Sequence, residues 1–369
     1  MKWLKKFIDK YRLDLWILEG EELNSKTSLT VLCSAHDWSR NHLAKLIFGE
    51  TYHEHYVGQS WLWNISKIAQ KMNKEYSIVI IEIRNKRRKF LETGNWFYSP
   101  TWVDGITDLP LKSTITKRES LKSDLRKIKK HDLQFEVTQD EEYFNDFYYH
   151  MYIPYITRAH GSSAYIFSYK EMKKQFDNGE LLLIKKGEIY IAGIIINYTE
   201  TSPRLKSLGI REGSSEYLNC GAMAALYHFS LQYLEERGFS KINYGFSRAF
   251  LKDGVLQYKK KWGQKIDGVS FYIFAIKILS YTKASQMFLE KNPFIFKNKT
   301  DLCGAVFLNT TEPILPQEIE KIYKSHFYNG LSKLYIFLPP ENSTLKSNDI
   351  PAKFSGQIIF KSANELIAH

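Results

Sequence analysis

The chain has 369 residues, 44% of them hydrophobic and 25% charged, a globular composition that excludes a disordered or fibrous protein and leaves room for two or three ordinary cores. Lys and Arg exceed Asp and Glu by 52 to 40, a formal charge of +12 that turns the search for partners toward nucleotides, nucleic acid, sugar phosphates and lipid head groups. Three widely separated cysteines, Cys33, Cys220 and Cys303, form no CxxC pair and no zinc spacing, so a metal is not expected and the thiols read as buried and reduced, in a cytoplasmic setting.

In the first section, 1–112, the segment MKWLKKFIDK is basic, with Trp3, Leu4, Phe7 and Ile8 on one face of a short helix. That face either packs on the protein or rests on the inner surface of a membrane. No run reaches the ~20 apolar residues a spanning helix needs. LTVLC (29–33) predicts a strand, and Ser34 and Asp37 offer caps for a helix over 37–47 that Gly49 ends. A helix over 60–72 follows, then the strand YSIVIIEIR (76–84), apolar throughout and so buried on both faces. The basic turn NKRRK, a strand over 89–98 and a Pro/Gly/Asp loop over 99–110 complete the section.

The second section, 113–290, is more legible. Thr116 with Glu119 forms a capping box before the stripe Leu121, Leu125 and Ile128. LQFEVT (133–138) alternates as a strand, and 140–156 reads as a helix through Phe144, Phe147, Tyr148 and Met151. Ser168 with Glu171 is a second capping box, LLLIKKGEIYIAGIIINY (181–198) a hairpin, and RLKSLGIR (204–211) a strand. A helix over 222–238 and strands over 240–246 and 270–278 close it. The third section, 291–369, reads strand, helix, strand and then a polar loop.

This order resembles the GNAT acyltransferase fold, and 113–270 is similar to its FemAB-like branch. The resemblance rests on SLKSDLRKIKKHDLQFEV, on EYLNCGAMAALYHFSLQYLEERGFSKINYGF, and above all on DGVLQYKKKWG. The last matches the branch's Gly-hydrophobic-x-x-aromatic-Lys-x-x-aromatic-Gly signature through Gly254, Val255, Tyr258, Lys259, Trp262 and Gly263. The fold class implied is α/β (α+β): a mixed sheet flanked by helices, in tandem GNAT-like lobes, the first degenerate. The chain departs from the family in two places. Asn243 and Tyr244 stand where an acid commonly precedes the strand-end glycine, and the glycine-rich pyrophosphate pattern is absent.

Candidate residues follow. The helix entry at Asn219, Gly221 and Ala222, with Tyr217, offers unpaired N–H groups to a phosphate. By resemblance this is where acyl-CoA, the expected co-substrate, would lie. Lys259 could present a cation to the donor, Tyr244 could act as a general acid, and His160 could act as a base near neutral pH. Arg158, Arg211, Ser247, Arg248 and Tyr258 are expected to contact substrate.

The resemblance implies transfer of an acyl group to an amine or hydroxyl of a sugar, nucleotide-linked or amino-acid acceptor. Two alternatives stand beside it. One is a tRNA-dependent aminoacyltransferase acting on a peptidoglycan precursor, with aminoacyl-tRNA as donor and a lipid-linked sugar as acceptor. The other is a non-catalytic anion-binding protein on the same scaffold.

Overall fold

Alternating and continuous apolar runs build three sheets. The computed structural model describes residues 11–71, 76–91, 94–161, 165–199, 202–310, 312–339 and 350–367, the side chains at 113, 114, 160 and 367 excepted. The expected amphipathic face over 3–8 lies outside them. Two compact units emerge: unit 1 holds Met1–Val103, Ser247–Leu256 and Gly268–His369, and unit 2 holds Asp104–Phe246 and Gln257–Asp267.

The units thus divide the chain differently from the three consecutive sections read from the sequence, each drawing on segments distant in the chain. The reason is strand pairing. Tyr272–Ile278 does not close the middle section; it pairs antiparallel with Ile78–Arg84, Ile273 opposite Ile83 and Ile276 opposite Ile80, and on its other edge with Phe97–Pro100. A run that reads as the end of one domain is an inner strand of another's sheet.

In unit 1 a six-stranded mixed sheet contains one parallel pair, Ser28–Ser34 with Ile78–Arg84. The helix Asp37–Phe48 lies between them in the chain and buries Leu43, Ala44, Ile47 and Phe48. The continuous apolar character of 78–83 has the expected consequence: Ile78 and Ile80 belong to one core cluster, Val79, Ile81 and Ile83 to another. A separate four-stranded sheet holds Phe294–Asn298, Asp301–Phe307, Lys333–Leu338 and Ile358–Ser362. The segment expected as a strand over 89–98 is instead a 3-10 turn over Asn85–Leu91 and a short strand from Phe97, while the expected loop over 99–110 carries the strand Trp102–Asp108. Its glycine is needed because the Gln264 side chain fills the space a Cβ at Gly105 would take, and its aspartates pair with cations, Asp104 with Arg204 and Asp108 with Lys265.

Unit 2 is the expected mixed sheet flanked by helices. Leu133–Thr138, Gly179–Lys186, Ile189–Tyr198 and Pro203–Ile210 run antiparallel in that order; Lys241–Asn243 then adds parallel, and Trp102–Asp108 antiparallel to it. The helix Ala222–Glu236 crosses between the parallel strands and buries Ala222, Ala225, Leu226, Leu231 and Leu234. Its far end is tied to the sheet through Glu180, which accepts from Tyr233 Oη at 2.8 Å, from Arg237 Nη1 at 2.9 Å and from Tyr198 Oη.

The Ser168 capping box forms as expected, with Glu171 Oε2 2.9 Å from the Ser168 amide. The Thr116 box does not. Its helix starts at Glu119 with Arg118 as N-cap, and Glu119 bonds Lys122 at 2.7 Å instead. The helix expected over 140–156 is broken into Glu141–Asp146, a π-helical turn Phe147–Tyr152 and Ile153–His160. Gly209 lies against the backbone of Met151 and Tyr152, so the π turn packs closely on the sheet.

Two signature glycines play opposite parts. Gly263 has φ +88°, and a Cβ there would sit 2.6 Å from Ile115 Cδ1, whereas a Cβ at Gly254 would meet nothing within 4 Å. Urea unfolding should therefore show Gly263→Ala costing about 2 kcal/mol or more, and Gly254→Ala staying within about 0.5 kcal/mol of wild type. Equal effects would contradict this assignment.

Candidate functional site

Parallel strands joined by a helix normally zip along several residues. In unit 2 the pair Pro203–Ile210 and Lys241–Asn243 is in register at a single position, Arg204 opposite Asn243. Beyond it the second strand turns away and follows Trp102–Asp108, with the Tyr244 amide donating to the Gly105 carbonyl at 2.9 Å. The first strand continues to Ile210 with its other edge on Ile189–Tyr198, where the register shifts between Leu205 and Leu208. The result is a splayed parallel pair whose first strand also carries a β-bulge at 206–207, in its pairing with Ile189–Tyr198. Bulges detach backbone groups from the ladder and re-aim side chains, which makes such a place chemically usable.

The turn that creates the splay is held by the DGVLQYKKKWG segment. Asn243 Oδ1 accepts from the Gly245 amide at 2.6 Å, fixing a turn in which Gly245 has φ +71°. Lys259, on the helix Gly254–Lys261, is only 5% exposed, and its Nζ donates to Phe246 O at 2.7 Å and to Gly245 O at 3.2 Å. Trp262 O accepts from Tyr244 Oη at 3.0 Å, and the left-handed Gly263 then turns the chain into Lys265–Val269.

This corrects three expectations. The Lys259 ammonium serves backbone carbonyls and so is not displayed to a donor. Tyr244 is buried, its hydroxyl is committed to Trp262 O, and burial pushes its pKa further up, away from a role as general acid. Tyr258 packs edge-on to Tyr227 at 5.3 Å, and desolvation raises its pKa as well.

The other expected residues divide. Gly221 is left-handed at φ +102°, but a Cβ there would lie 3.2 Å from Lys127 Cβ, so the glycine lets the helix entry pack on the helix Glu119–Lys130. Ala222 is buried beside it, Asn219 is exposed, and Tyr217 is half-buried with its carbonyl accepting from Cys220 Sγ at 3.2 Å. Arg211 is consumed by structure: Nε donates to Tyr190 O at 2.5 Å and Nη1 to Asp146 at 3.1 Å. Arg158 is exposed and donates to Gly213 O at 2.9 Å. His160 ends its helix, and its side chain lies outside the described set. Ser247 and Arg248 belong to unit 1.

The residues at the mouth of the splay went unremarked in the sequence. Arg204 pairs with Asp104 at 3.0 Å and lies 4.7 Å from the ring of Phe246, itself 50% exposed. Lys206 stands in the bulge; desolvation, then the neighbouring Arg204 charge, draw its pKa below the ordinary lysine value, with Asp104 opposing. The available signal was two cations at i and i+2 in RLKSLGI, an otherwise apolar strand. A groove of about 650 Å³ elsewhere in unit 2 runs past Leu121, Leu125, Leu231 and Trp262. Trp262 is common to the groove and the turn, but Arg204, Lys206 and Phe246 do not line the groove.

No family model matches the chain, and no curated protein matches it. Solved structures similar to it include the C-terminal domain of a putative lysylphosphatidylglycerol synthetase from Agrobacterium fabrum, at 12% identity and TM-score 0.37, over 73% of this chain and 82% of that one. L-PGS from Bacillus licheniformis is similar at 14% identity and TM-score 0.37, over 76% and 84%. FemX is similar at 12% identity and TM-score 0.37, over 70% and 83%.

Lys259→Ala strands two carbonyls that the ammonium now satisfies. Chemical denaturation should show a loss of about 3 kcal/mol, and Tyr244→Phe a loss of about 1 kcal/mol. An unchanged Lys259→Ala midpoint would overturn the structural role given to this lysine.

Proposed function

We propose that unit 2 performs acyl transfer, with the donor's extended arm laid along the diverging edge at 206–210. The observation that supports this most is the splay itself, a parallel pair with a single register position beside a bulge. An open strand edge pairs readily with an extended, amide-bearing chain, and a bulge can turn a backbone N–H toward the oxygen on which negative charge develops. The donor that fits is acyl-CoA, whose arm carries amides and whose phosphates suit the +12 charge. The acceptor is an amine or hydroxyl on an anionic or lipid-linked sugar, nucleotide-linked or amino-acid compound, drawn by Arg204 and Lys206.

In the reaction the acceptor's lone pair forms a bond to the acyl carbon, giving a tetrahedral oxyanion. Collapse breaks the carbon–sulfur bond and releases the thiolate. The acceptor's proton goes to Lys206 Nζ, the amine at the bulge, whose pKa desolvation and then Arg204 draw below the ordinary lysine value. Positioning of donor and acceptor along one strand supplies the rest of the rate.

The exposed cations of the helix Glu119–Lys130, among them Lys122, Arg126, Lys127, Lys129 and Lys130, favour a second reading in which the donor is aminoacyl-tRNA. The two are separable. Under the first, CoA and acetyl-CoA should raise the melting temperature by about 3 °C at tenfold excess over Kd. Under the second, tRNA should bind with an affinity that falls steeply between low and physiological salt, and CoA should leave the melt unchanged. No response to either donor refutes acyl transfer.

Once a donor is in hand, the proton acceptor is tested by pH. Neutral lysine accumulates as pH rises, so kcat/KM should climb through a pKa below the ordinary lysine value and then level. Lys206→Ala should abolish that limb and lower kcat about 10²-fold or more, with the melting temperature within about 1 °C of wild type. Persistence of the limb in Lys206→Ala would exclude the residue as base.

A further inference from the structure

Arg248 in unit 1 is a buried cation without a direct counter-charge. It is 6% exposed, its Nη1 is sealed from solvent without a hydrogen-bond partner, and no ion pair among the described residues includes it. Two carboxylates act on it through space, Asp253 and Glu82, but both are engaged with backbone. Glu82 Oε2 accepts from the His36 amide at 3.1 Å, and Asp253 Oδ1 from the Leu256 amide at 2.8 Å. The guanidinium instead lies 4.0 Å from the ring of Trp38 and 4.2 Å from that of Trp102. The two indoles stack on each other at 5.3 Å and 15°, and both are half-buried.

Ring faces stabilise a cation, but they offer no acceptor for its N–H groups. Burial here outweighs both carboxylates, and the pKa falls to about 10. A protein that only needed an apolar side chain against two stacked indoles would be served better by Leu or Met, because an unsatisfied buried charge costs more than it returns. The local backbone also suits a negative group. Trp38 lies in the first turn of the helix Asp37–Phe48, whose N-cap His36 makes no side-chain capping bond; the dipole at that end favours an anion, and the Asp37 carboxylate in the same turn is paired with Arg40 at 2.9 Å. On the strand side Arg248 is directly opposite Trp102, which puts the guanidinium and that indole on one face.

We propose that Arg248, framed by Trp38 and Trp102, is a binding site in unit 1 for a small oxyanion, the carboxylate or phosphoryl end of a ligand. The planar fork of arginine matches such a group with two parallel hydrogen bonds. Ser247 is not part of this site. Its buried Oγ also has no partner, but as the adjacent strand residue it points to the other face. The inference is independent of the acyl-transfer reading, which rests on unit 2.

The test uses the full-length protein, with acetate, inorganic phosphate and pyrophosphate as probes at constant ionic strength. The readouts are the melting temperature and indole fluorescence. Wild type should gain about 3 °C at tenfold excess over Kd with at least one probe, and its fluorescence should titrate along the same curve. The probe that acts identifies the oxyanion as carboxylate or phosphoryl. Arg248→Met should melt at or above wild type without the probe and should lose the response. Arg248→Lys keeps charge and fold but lacks the fork, so its half-saturating concentration should rise about tenfold or more. Trp38→Phe should remove part of the fluorescence change while leaving a thermal response. An Arg248→Met protein that is destabilised yet responds to the probes as wild type does, or a wild type indifferent to all three, overturns the proposal and makes the arginine a structural partner of the two indoles.

Discussion

The pair of hydrogen bonds from Lys259 to the carbonyls of Gly245 and Phe246 is the constraint on which the unit 2 site depends. A strand leaving a parallel partner exposes carbonyls that the ladder would otherwise satisfy, and burying them unpaired is costly. One ammonium, delivered from the next helix, answers two of them. Asn243 fixes the same turn from its other side through the Gly245 amide, and Trp262 O secures Tyr244 just before it. The splay is therefore a built feature of the unit. Two of the residues that build it, Lys259 and Trp262, are among those by which the segment 253–263 resembles a known signature, while Asn243 and Tyr244 stand where the chain departs from it.

The three consecutive lysines of that segment illustrate how a helix distributes identical side chains. Successive residues rotate by about 100°, so neighbours face different surroundings. Lys259 turns inward to the carbonyls. Lys260 is half-buried beside Arg118, and desolvation followed by that neighbouring charge lowers its pKa to about 8. Lys261 pairs with Asp124 and lies 5.5 Å from the Tyr258 ring. Arg118 in turn donates to the carbonyl of Lys260 at 3.0 Å, capping the helix end. Much of what reads in sequence as a positively charged patch in 259–261 is thus internal wiring, whereas Lys206 at the bulge and the cations along Glu119–Lys130 are among those exposed to solvent.

Cations withdrawn from solvent, half-buried at Arg211 and buried at Lys259 and Arg248, recur in both units with different solutions. Arg211 is matched to Asp146, and Lys259 to carbonyls. Arg248 has aromatic faces and distant carboxylates, without a hydrogen-bond acceptor. The contrast matters because the first two arrangements are complete as they stand, while the third leaves donor capacity that a ligand oxygen could fill.

The sequence by itself determined the elements whose periodicity is strong. The hairpin over 181–198, the central helix from Ala222, the Ser168–Glu171 cap and the doubly buried strand at 78–84 were all legible, because apolar spacing and turn chemistry are local properties. It also picked out Lys259, Tyr258 and Trp262 as a group. Only the tertiary structure decided what they do, since whether an ammonium faces a ligand or a carbonyl depends on a turn fourteen residues away in the chain. Pairing was likewise out of reach: nothing local tells Tyr272–Ile278 that its partner is Ile78–Arg84 rather than the strands preceding it. The splay between Arg204 and Asn243, and the bulge that puts Lys206 beside it, are set by long-range register, which no short stretch of sequence encodes.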